Sequence, residues 1–148
     1  MMGLTLHNTA MGIGAVFLLV GVLGFIPGIT TNYGAMTFAG HESGAMLLGV
    51  FQVSVLHNIV HLLFGVAGIA MARTDRMARM FLLGGGAVYL LLWIYGLVVD
   101  MSASANFVPF NSADNWLHLI LGVAMVGLGL WLGRDAVATN AATKGSTA

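Results

Sequence analysis

Long apolar segments alternate with short polar connections along this chain. Apolar residues run almost without interruption through residues 9–26, 54–72, 80–99 and 114–132. A helix needs about 17–25 apolar residues to cross a bilayer, and unbroken apolar runs are typical of spanning helices, whereas barrel strands alternate. The pattern therefore predicts an all-α membrane protein with four transmembrane helices in a single domain, residues 1–135. We expect the small and polar residues 136–148 to form a disordered tail.

The basic residues predict how the helices are oriented. All five lie on one side of this topology: Arg73, Arg76 and Arg79 between the second and third helices, and Arg134 and Lys144 after the fourth. Residues 27–53 and 100–113 contain no Lys or Arg. Because cytoplasmic loops are enriched in basic residues, we expect both termini to be cytoplasmic. No Lys or Arg precedes the first segment, so we expect it to be retained and not cleaved as a signal peptide.

The composition excludes several classes of protein. Only 7% of the residues are charged and 59% are hydrophobic, whereas a soluble domain carries about 25% charged residues. A soluble domain and a nucleic-acid-binding protein are therefore excluded, and the absence of cysteine excludes thiolate metal sites. The carboxylates and the single lysine lie in loops or at helix ends, which leaves no machinery for hydrolysis, phosphoryl transfer or acyl transfer. We expect no enzymatic activity.

The sequence repeats itself. Residues 12–19 (GIGAVFLL) match residues 84–91 (GGGAVYLL), and residues 58–67 (NIVHLLFGVA) match residues 115–124 (NWLHLILGVA). The first two helices thus correspond to the last two, and both pairs have the same orientation. The pattern predicts two parallel tandem repeats of two helices, related by an axis along the membrane normal.

The two motif stretches resemble a known family. The HNIVH motif within residues 56–68 and the DNWLH motif within residues 114–122 are similar to signature stretches of a bacterial membrane family, common in actinobacteria and catalogued as domain of unknown function 4383. The resemblance covers residues 8–133. It implies four membrane helices and a multi-pass protein of the bacterial inner (plasma) membrane. It implies no known activity, so no functional residue is carried over.

Histidines provide the candidate site. His61 and His118 occupy equivalent positions in the repeat, about 10 Å from the outer end of their helices at 1.5 Å per residue. One turn earlier on each helix lie His57 and Asp114, on the same faces. Asn58 and Asn115 flank them.

Three interpretations of this cluster remain open. His61 and His118, with His57 as a further candidate, are suited to ligate a haem or another tetrapyrrole, with Gly65 and Gly122 admitting the flat ring. Alternatively His57, His61, His118 and Asp114 bind a metal ion. In the third interpretation Asn58, Asn115 and the histidines form a structural polar cluster whose hydrogen bonds fix the helix packing.

The leading functional hypothesis is a small non-catalytic integral membrane protein, an accessory or structural subunit of a larger complex whose partners are the lipid bilayer and other membrane subunits. The alternative is a tetrapyrrole-binding or metal-binding membrane protein in electron transfer or pigment binding. A transporter is a third class. Three roles remain open for residues 45–51 of the apolar loop 29–53: they extend the second helix, lie in the membrane interface, or dock on another protein.

The cost of unpaired polar groups in hydrocarbon predicts which helix faces are packed. We expect Asn58, His61, Asn115 and His118 to face the interior of the bundle. The opposite faces should be exposed to lipid or to partners, and they carry Val60, Leu63, Leu117 and Ile120.

Overall fold

A bundle of four α-helices forms the body of the protein in the computed structural model. The structure describes residues 4–145, with side chains described as far as Arg134. The helices are α1 (Leu6–Leu23), α2 (Val55–Met71), α3 (Asp75–Val98) and α4 (Ser112–Gly145). We call the end where α2 joins α3 the arginine end, and the opposite end, where residues 24–54 and 99–111 connect the helices, the capped end.

Three of the four helices are long and apolar enough to span a membrane. They are α1, α3 and the portion Ser112–Arg134 of α4, and they indicate a membrane protein. The second helix, α2, is equally apolar but has only 17 residues. It is shorter than the predicted segment 54–72 because Ser54 serves as its N-cap and Ala72 as its C-cap.

Side-chain caps explain why two helices begin earlier than predicted. Thr5 accepts a hydrogen bond from the backbone N–H of Asn8 (3.2 Å), and α1 therefore begins at Leu6 and not at residue 9. Thr74 caps α3 in the same way through the N–H of Met77 (3.2 Å), so α3 begins at Asp75, five residues before the predicted start at residue 80. Ser and Thr side chains satisfy amide groups that otherwise have no partner in the first turn of a helix.

The fourth helix continues beyond its predicted end near residue 132. It reaches Gly145 and so enters residues 136–148, for which we predict a disordered cytoplasmic tail. Alanine is the strongest helix former, and this segment contains several alanines. Residues 146–148 of the predicted tail lie outside the described residues.

The long connection between α1 and α2 folds into a small β-sheet. Strands β1 (Thr30–Thr31), β2 (Met46–Leu47) and β3 (Phe51–Gln52) pair antiparallel in the order β1-β2-β3. The turn between β2 and β3 places Leu48 and Gly49 at φ values of 55° and 71°, a left-handed conformation that glycine adopts without steric cost. Residues 45–51 therefore do not extend α2.

Buried polar side chains hold this sheet on the end of α1. Thr30 donates its hydroxyl to the carbonyl oxygen of Leu23 (3.0 Å), and Ser43 donates to that of Val53 (2.5 Å). Val20 and Leu23 of α1 pack against the small core that Ala45, Leu47 and Val53 form. The sheet therefore covers the capped end of the bundle.

The connection between α3 and α4 is shorter and is closed by its own side chains. Ser102 donates its backbone N–H and its hydroxyl to Oδ1 of Asp100 (2.9 and 2.6 Å), and these hydrogen bonds lower the pKa of Asp100 because they favour the ionised carboxylate. Asn106 is fully buried and accepts the N–H of Phe110 (3.1 Å).

Close packing at glycines joins the helices in pairs. α1 packs mainly on α2, and α3 mainly on α4. A Cβ added at Gly14 would lie 2.9 Å from the carbonyl oxygen of Gly65, and one added at Gly86 would lie 3.0 Å from that of Gly122. The two backbones of each pair thus touch, which is how membrane helices maximise van der Waals contact.

Contacts in the core and at the arginine end connect the pairs to each other. In the core, Phe17 of α1 stacks on Tyr89 of α3, with ring centroids 5.3 Å apart. At the arginine end, Nε2 of His7 lies 2.7 Å from Oδ1 of Asp75. The starts of α1 and α3 therefore lie side by side, and the two helices run in the same direction.

Gly86 and Gly84 form a matched pair for testing the glycine contact. A Cβ at Gly86 would meet Val126 at 2.8 Å, whereas a Cβ at Gly84 meets nothing within 4 Å. Gly86→Ala should lower the free energy of unfolding by about 1–3 kcal/mol through overpacking. Gly84→Ala should leave it unchanged or raise it by about 1 kcal/mol through helix propensity. Denaturant unfolding in detergent, followed by circular dichroism, measures both, and equal effects would refute the contact.

Candidate functional site

The candidate histidines lie on α2 and α4, in the half of the bundle near the capped end. The hydroxyl of Ser54 accepts the backbone N–H of His57 (3.1 Å) and so fixes the first turn of α2. His61 follows one turn later, and His118 lies in the second turn of α4. The three side chains are buried, with 7%, 4% and 3% of their surface exposed for His57, His61 and His118.

Aromatic contacts link these histidines into a row that crosses the bundle. The centroids of His57 and His61 are 4.4 Å apart, and the ring of His61 meets Phe17 edge-on at 5.4 Å. Beyond the stacked pair of Phe17 and Tyr89, the ring of Tyr89 lies 5.3 Å from His118. We call this row the ring ladder, and its members are His57, His61, Phe17, Tyr89 and His118.

The ring ladder brings together residues that the sequence places far apart. Of the predicted site residues, His57, His61 and His118 belong to it. Phe17 and Tyr89 were not predicted site residues, although they are matched aromatic positions within the repeated stretches GIGAVFLL and GGGAVYLL. That match is the signal that could have identified them.

Both asparagines lie beneath a glycine of the neighbouring helix. A Cβ at Gly24 would collide with the carboxamide of Asn58, and one at Gly96 with that of Asn115. Asn58 and Asn115 are buried, as are His61 and His118. The prediction that these four side chains face the interior is confirmed.

The outward faces agree with the prediction in part. Leu63 and Ile120 are 64% and 62% exposed. Val60 and Leu117, which were expected on the same faces, are half-buried. They lie nearer the edge of the helix contact than the repeat alone indicated.

Asp114 is directed to the cap and binds backbone amides. Its Oδ2 accepts the N–H of Gln52 and that of Asn111, each at 3.1 Å. Asn111 in turn accepts the N–H of Asp114 at its Oδ1 (2.9 Å), so the two residues form a reciprocal helix-start motif of the capping-box type. Asp114 thereby ties strand β3 to the first turn of α4.

This use of Asp114 bears on the proposed metal site. Within residues 4–134, where side chains are described, no three His, Asp or Glu residues come together in an arrangement that could hold a metal ion. The set His57, His61, His118 and Asp114 does not form such a group in the structure.

The surroundings of Gly65 and Gly122 do not fit a tetrapyrrole. A Cβ at Gly65 would lie 2.5 Å from Cγ of Leu18, and one at Gly122 would lie 2.7 Å from Cγ of Leu90. The expectation that these glycines admit a flat ring is therefore not met, because side chains of the partner helices already fill the space. The glycines serve helix packing.

An apolar groove lies beside the ring ladder without reaching its histidines. It has a volume of about 350 Å³, lies between α2 and α3, and is lined by Leu63, Phe64, Ala67, Met71, Met80, Phe81, Gly85 and Val88. Its lining carries no polar side chain that could orient a substrate.

Contacts with other rings surround the three imidazoles. The Nδ1 atoms of His57, His61 and His118 are buried and have no hydrogen-bond partner among the described residues. Leaving a buried polar atom unpaired costs about 1–3 kcal/mol. The rings of His61 and His118 pack against Phe17, Tyr89 and Phe110, and the ring of His57 packs against His61.

Comparison with known proteins identifies the family. Residues 7–131 match the family model described as Domain of unknown function (DUF4383). The chain belongs to this family. The resemblance predicted from the two histidine motifs is thereby confirmed. No curated protein and no solved structure matches this DUF4383 chain.

Substitutions of His61 in the DUF4383 chain separate packing from polar bonding. His61→Leu keeps an apolar side chain against Phe17 and removes the unpaired nitrogen, so the free energy of unfolding should change by less than about 1 kcal/mol. His61→Ala removes the ring and should cost about 2–4 kcal/mol through the cavity it leaves. Chemical unfolding in detergent measures both values. A Leu variant as unstable as the Ala variant would show that His61 has a polar partner.

Proposed function

We propose that this chain is a four-span integral membrane protein of the bacterial inner (plasma) membrane that serves as a non-catalytic accessory or structural subunit of a larger complex. Its four helices form two parallel tandem repeats, with both termini in the cytoplasm. The observation that carries the proposal is the ring ladder, in which each of the three buried histidine rings packs against another ring of the protein. The polar core therefore serves the packing of the helices.

Equivalent contacts support the tandem repeat. Leu18 packs on Gly65 within the first helix pair, and Leu90 packs on Gly122 within the second. Likewise Asn58 lies beneath Gly24 and Asn115 beneath Gly96. The alignment of the two sequence halves places the residues of each first contact opposite those of the second.

The centre of the bundle supports an axis along the membrane normal. Phe17 and Tyr89 are matched positions of the repeat and stack on each other at an interplanar angle of 26°. Each also contacts the histidine of its own half, His61 or His118. We infer an axis between the two stacked rings that relates Phe17 and His61 to Tyr89 and His118, while His57 has no counterpart in the ring ladder.

The distribution of charge supports the orientation. Arg73, Arg76, Arg79 and Arg134 lie at or near the arginine end, whereas residues 24–54 and 99–111 at the capped end contain no Lys or Arg. The excess of basic residues on the cytoplasmic side of membrane proteins favours an orientation with the arginine end in the cytoplasm and the capped end outside.

The length of α2 is compatible with a fourth span. Its 17 residues extend about 25 Å at 1.5 Å per residue, against a hydrocarbon core of about 30 Å. Bilayers thin locally around short helices at a small cost per ångström. Val53 and Ser54, which directly precede α2, are fully buried. The small sheet at the capped end therefore shields this end of the helix from lipid.

The tetrapyrrole alternative has less support. The space beside Gly65 and Gly122 is filled by Leu18 and Leu90, so a macrocycle would have to separate the helices of both pairs. We therefore favour the accessory role over a function in electron transfer or pigment binding.

Single cysteines test the orientation without background labelling, because the natural chain contains no cysteine. Leu4 and Ser104 are both exposed and lie at opposite ends of the bundle. In intact spheroplasts, Ser104→Cys should react with a membrane-impermeant maleimide, and Leu4→Cys should react only after permeabilisation. The reverse pattern would overturn the orientation. Labelling of both variants in intact spheroplasts would place residues 4 and 104 on the same side of the membrane and would contradict the four spans.

Native sizing tests the accessory role. A tagged chain, extracted from its own membrane with a styrene–maleic acid copolymer, should migrate above the size of a particle holding one 15.5 kDa chain. It should also carry the same copurifying membrane protein in repeated preparations. An untagged strain processed in parallel identifies proteins that adhere to the resin. A particle holding this chain alone would contradict the proposal.

A further inference from the structure

The guanidinium of Arg79 lies in the seam between α3 and α4, at the arginine end. A Cβ added at Gly133 of α4 would lie 2.5 Å from Nε, 3.0 Å from Cδ and 3.1 Å from Cζ of Arg79. A Cβ at this position would therefore force the Arg79 side chain to shift. Gly133 therefore leaves the space in which the arginine side chain lies flat against the backbone of α4.

The same side chain contains a buried donor without a partner. The Nε of Arg79 is inaccessible and has no hydrogen-bond partner among the described residues. Arginine stays protonated in proteins and offers five N–H groups in a planar fork. A buried donor on a charged group is costly to leave unpaired, so an anion that reaches the guanidinium would stabilise the seam.

Further positive charge surrounds this position. Arg76 lies three residues before Arg79 on the same face of α3, and Arg134 directly follows Gly133. Both are exposed. The acidic residue of the first turn of α3, Asp75, is directed at His7 on α1. The amino end of α3 adds the partial positive charge of its helix dipole.

We propose that this seam binds a phosphate-ester anion, the headgroup phosphate of an anionic phospholipid. Arginine forks match phosphate oxygens in pairs, and basic pockets between membrane helices are suited to acidic headgroups. Arg79 directly precedes the apolar run of α3 that begins at Met80, which places the fork at the boundary of the hydrocarbon, where lipid phosphates lie. The inference depends neither on the accessory role nor on which side of the membrane the arginine end faces.

The test compares lipids and matched variants of the full chain in a neutral detergent. Native mass spectrometry measures the affinities for phosphatidylglycerol and phosphatidylcholine with identical acyl chains. The natural chain should bind phosphatidylglycerol about tenfold more tightly, because the choline cation of phosphatidylcholine offsets the charge of the phosphate that both headgroups carry. Arg79→Gln removes the fork, and Gly133→Ala displaces it without changing the charge. Both variants should reduce the preference to less than about twofold.

Two controls exclude general effects. Arg73→Gln removes an equal charge from the exposed loop at the arginine end, and Gly127→Ala adds a Cβ to α4 where nothing lies within 4 Å. Both should keep the preference of the natural chain. Melting temperatures in phosphatidylcholine verify folding. If Gly133→Ala fails to fold, Arg79→Lys replaces it, because it keeps the charge but removes the Nε–H donor.

Inorganic phosphate distinguishes the two sources of the anion. If inorganic phosphate displaces phosphatidylglycerol from the natural chain at equal concentration, the seam binds soluble phosphate at least as tightly as it binds the lipid. If only the lipid binds, the site is a lipid site. Equal affinity of the natural chain for both lipids with no effect of phosphate, or an equal loss of preference in Arg73→Gln and Arg79→Gln, would overturn the proposal.

Discussion

Helices inside a bilayer gain little from the hydrophobic effect between one another, because lipid tails are as apolar as their side chains. What holds this bundle together is therefore close contact, and the contact depends on glycine. At Gly14, Gly65, Gly86 and Gly122 the backbones of paired helices approach until no Cβ fits between them. At this distance Leu18 and Leu90 fill the space over Gly65 and Gly122 of the neighbouring helix.

The glycine contacts also determine where the polar side chains lie. With α1 drawn onto α2 and α3 onto α4, Phe17 and Tyr89 meet in the middle, and His61 and His118 are enclosed against them. Asn58 and Asn115 fit beneath Gly24 and Gly96 for the same reason. The polar core thus takes its geometry from the packing of the helices, and its histidines lie against other rings.

Periodicity and repetition predicted the parts of the structure that depend on local sequence. The four helices, the inward faces of His61 and His118 and the family itself followed from the apolar runs and from the paired N-x-x-H motifs. The small sheet at the capped end did not follow from the sequence, because three strands of two residues each carry too short a pattern to be recognised. The partner of Asp114 was hidden for another reason, since the amide of Gln52 lies 62 positions away and only the folded chain brings the two together. The role of Gly133 likewise required the position of Arg79.

The bond between Gln52 and Asp114 has a consequence for the assembly of the protein during synthesis. Strand β3 belongs to the connection between α1 and α2, but it is fastened by a carboxylate and by Asn111 at the start of α4. A ribosome completes the first helix pair and its sheet long before Asp114 emerges, so the sheet lacks its fastening until the last helix has entered the membrane. The closing of the capped end then coincides with insertion of α4. The two helix pairs, however similar in sequence, are therefore not interchangeable: the first is finished only by the second.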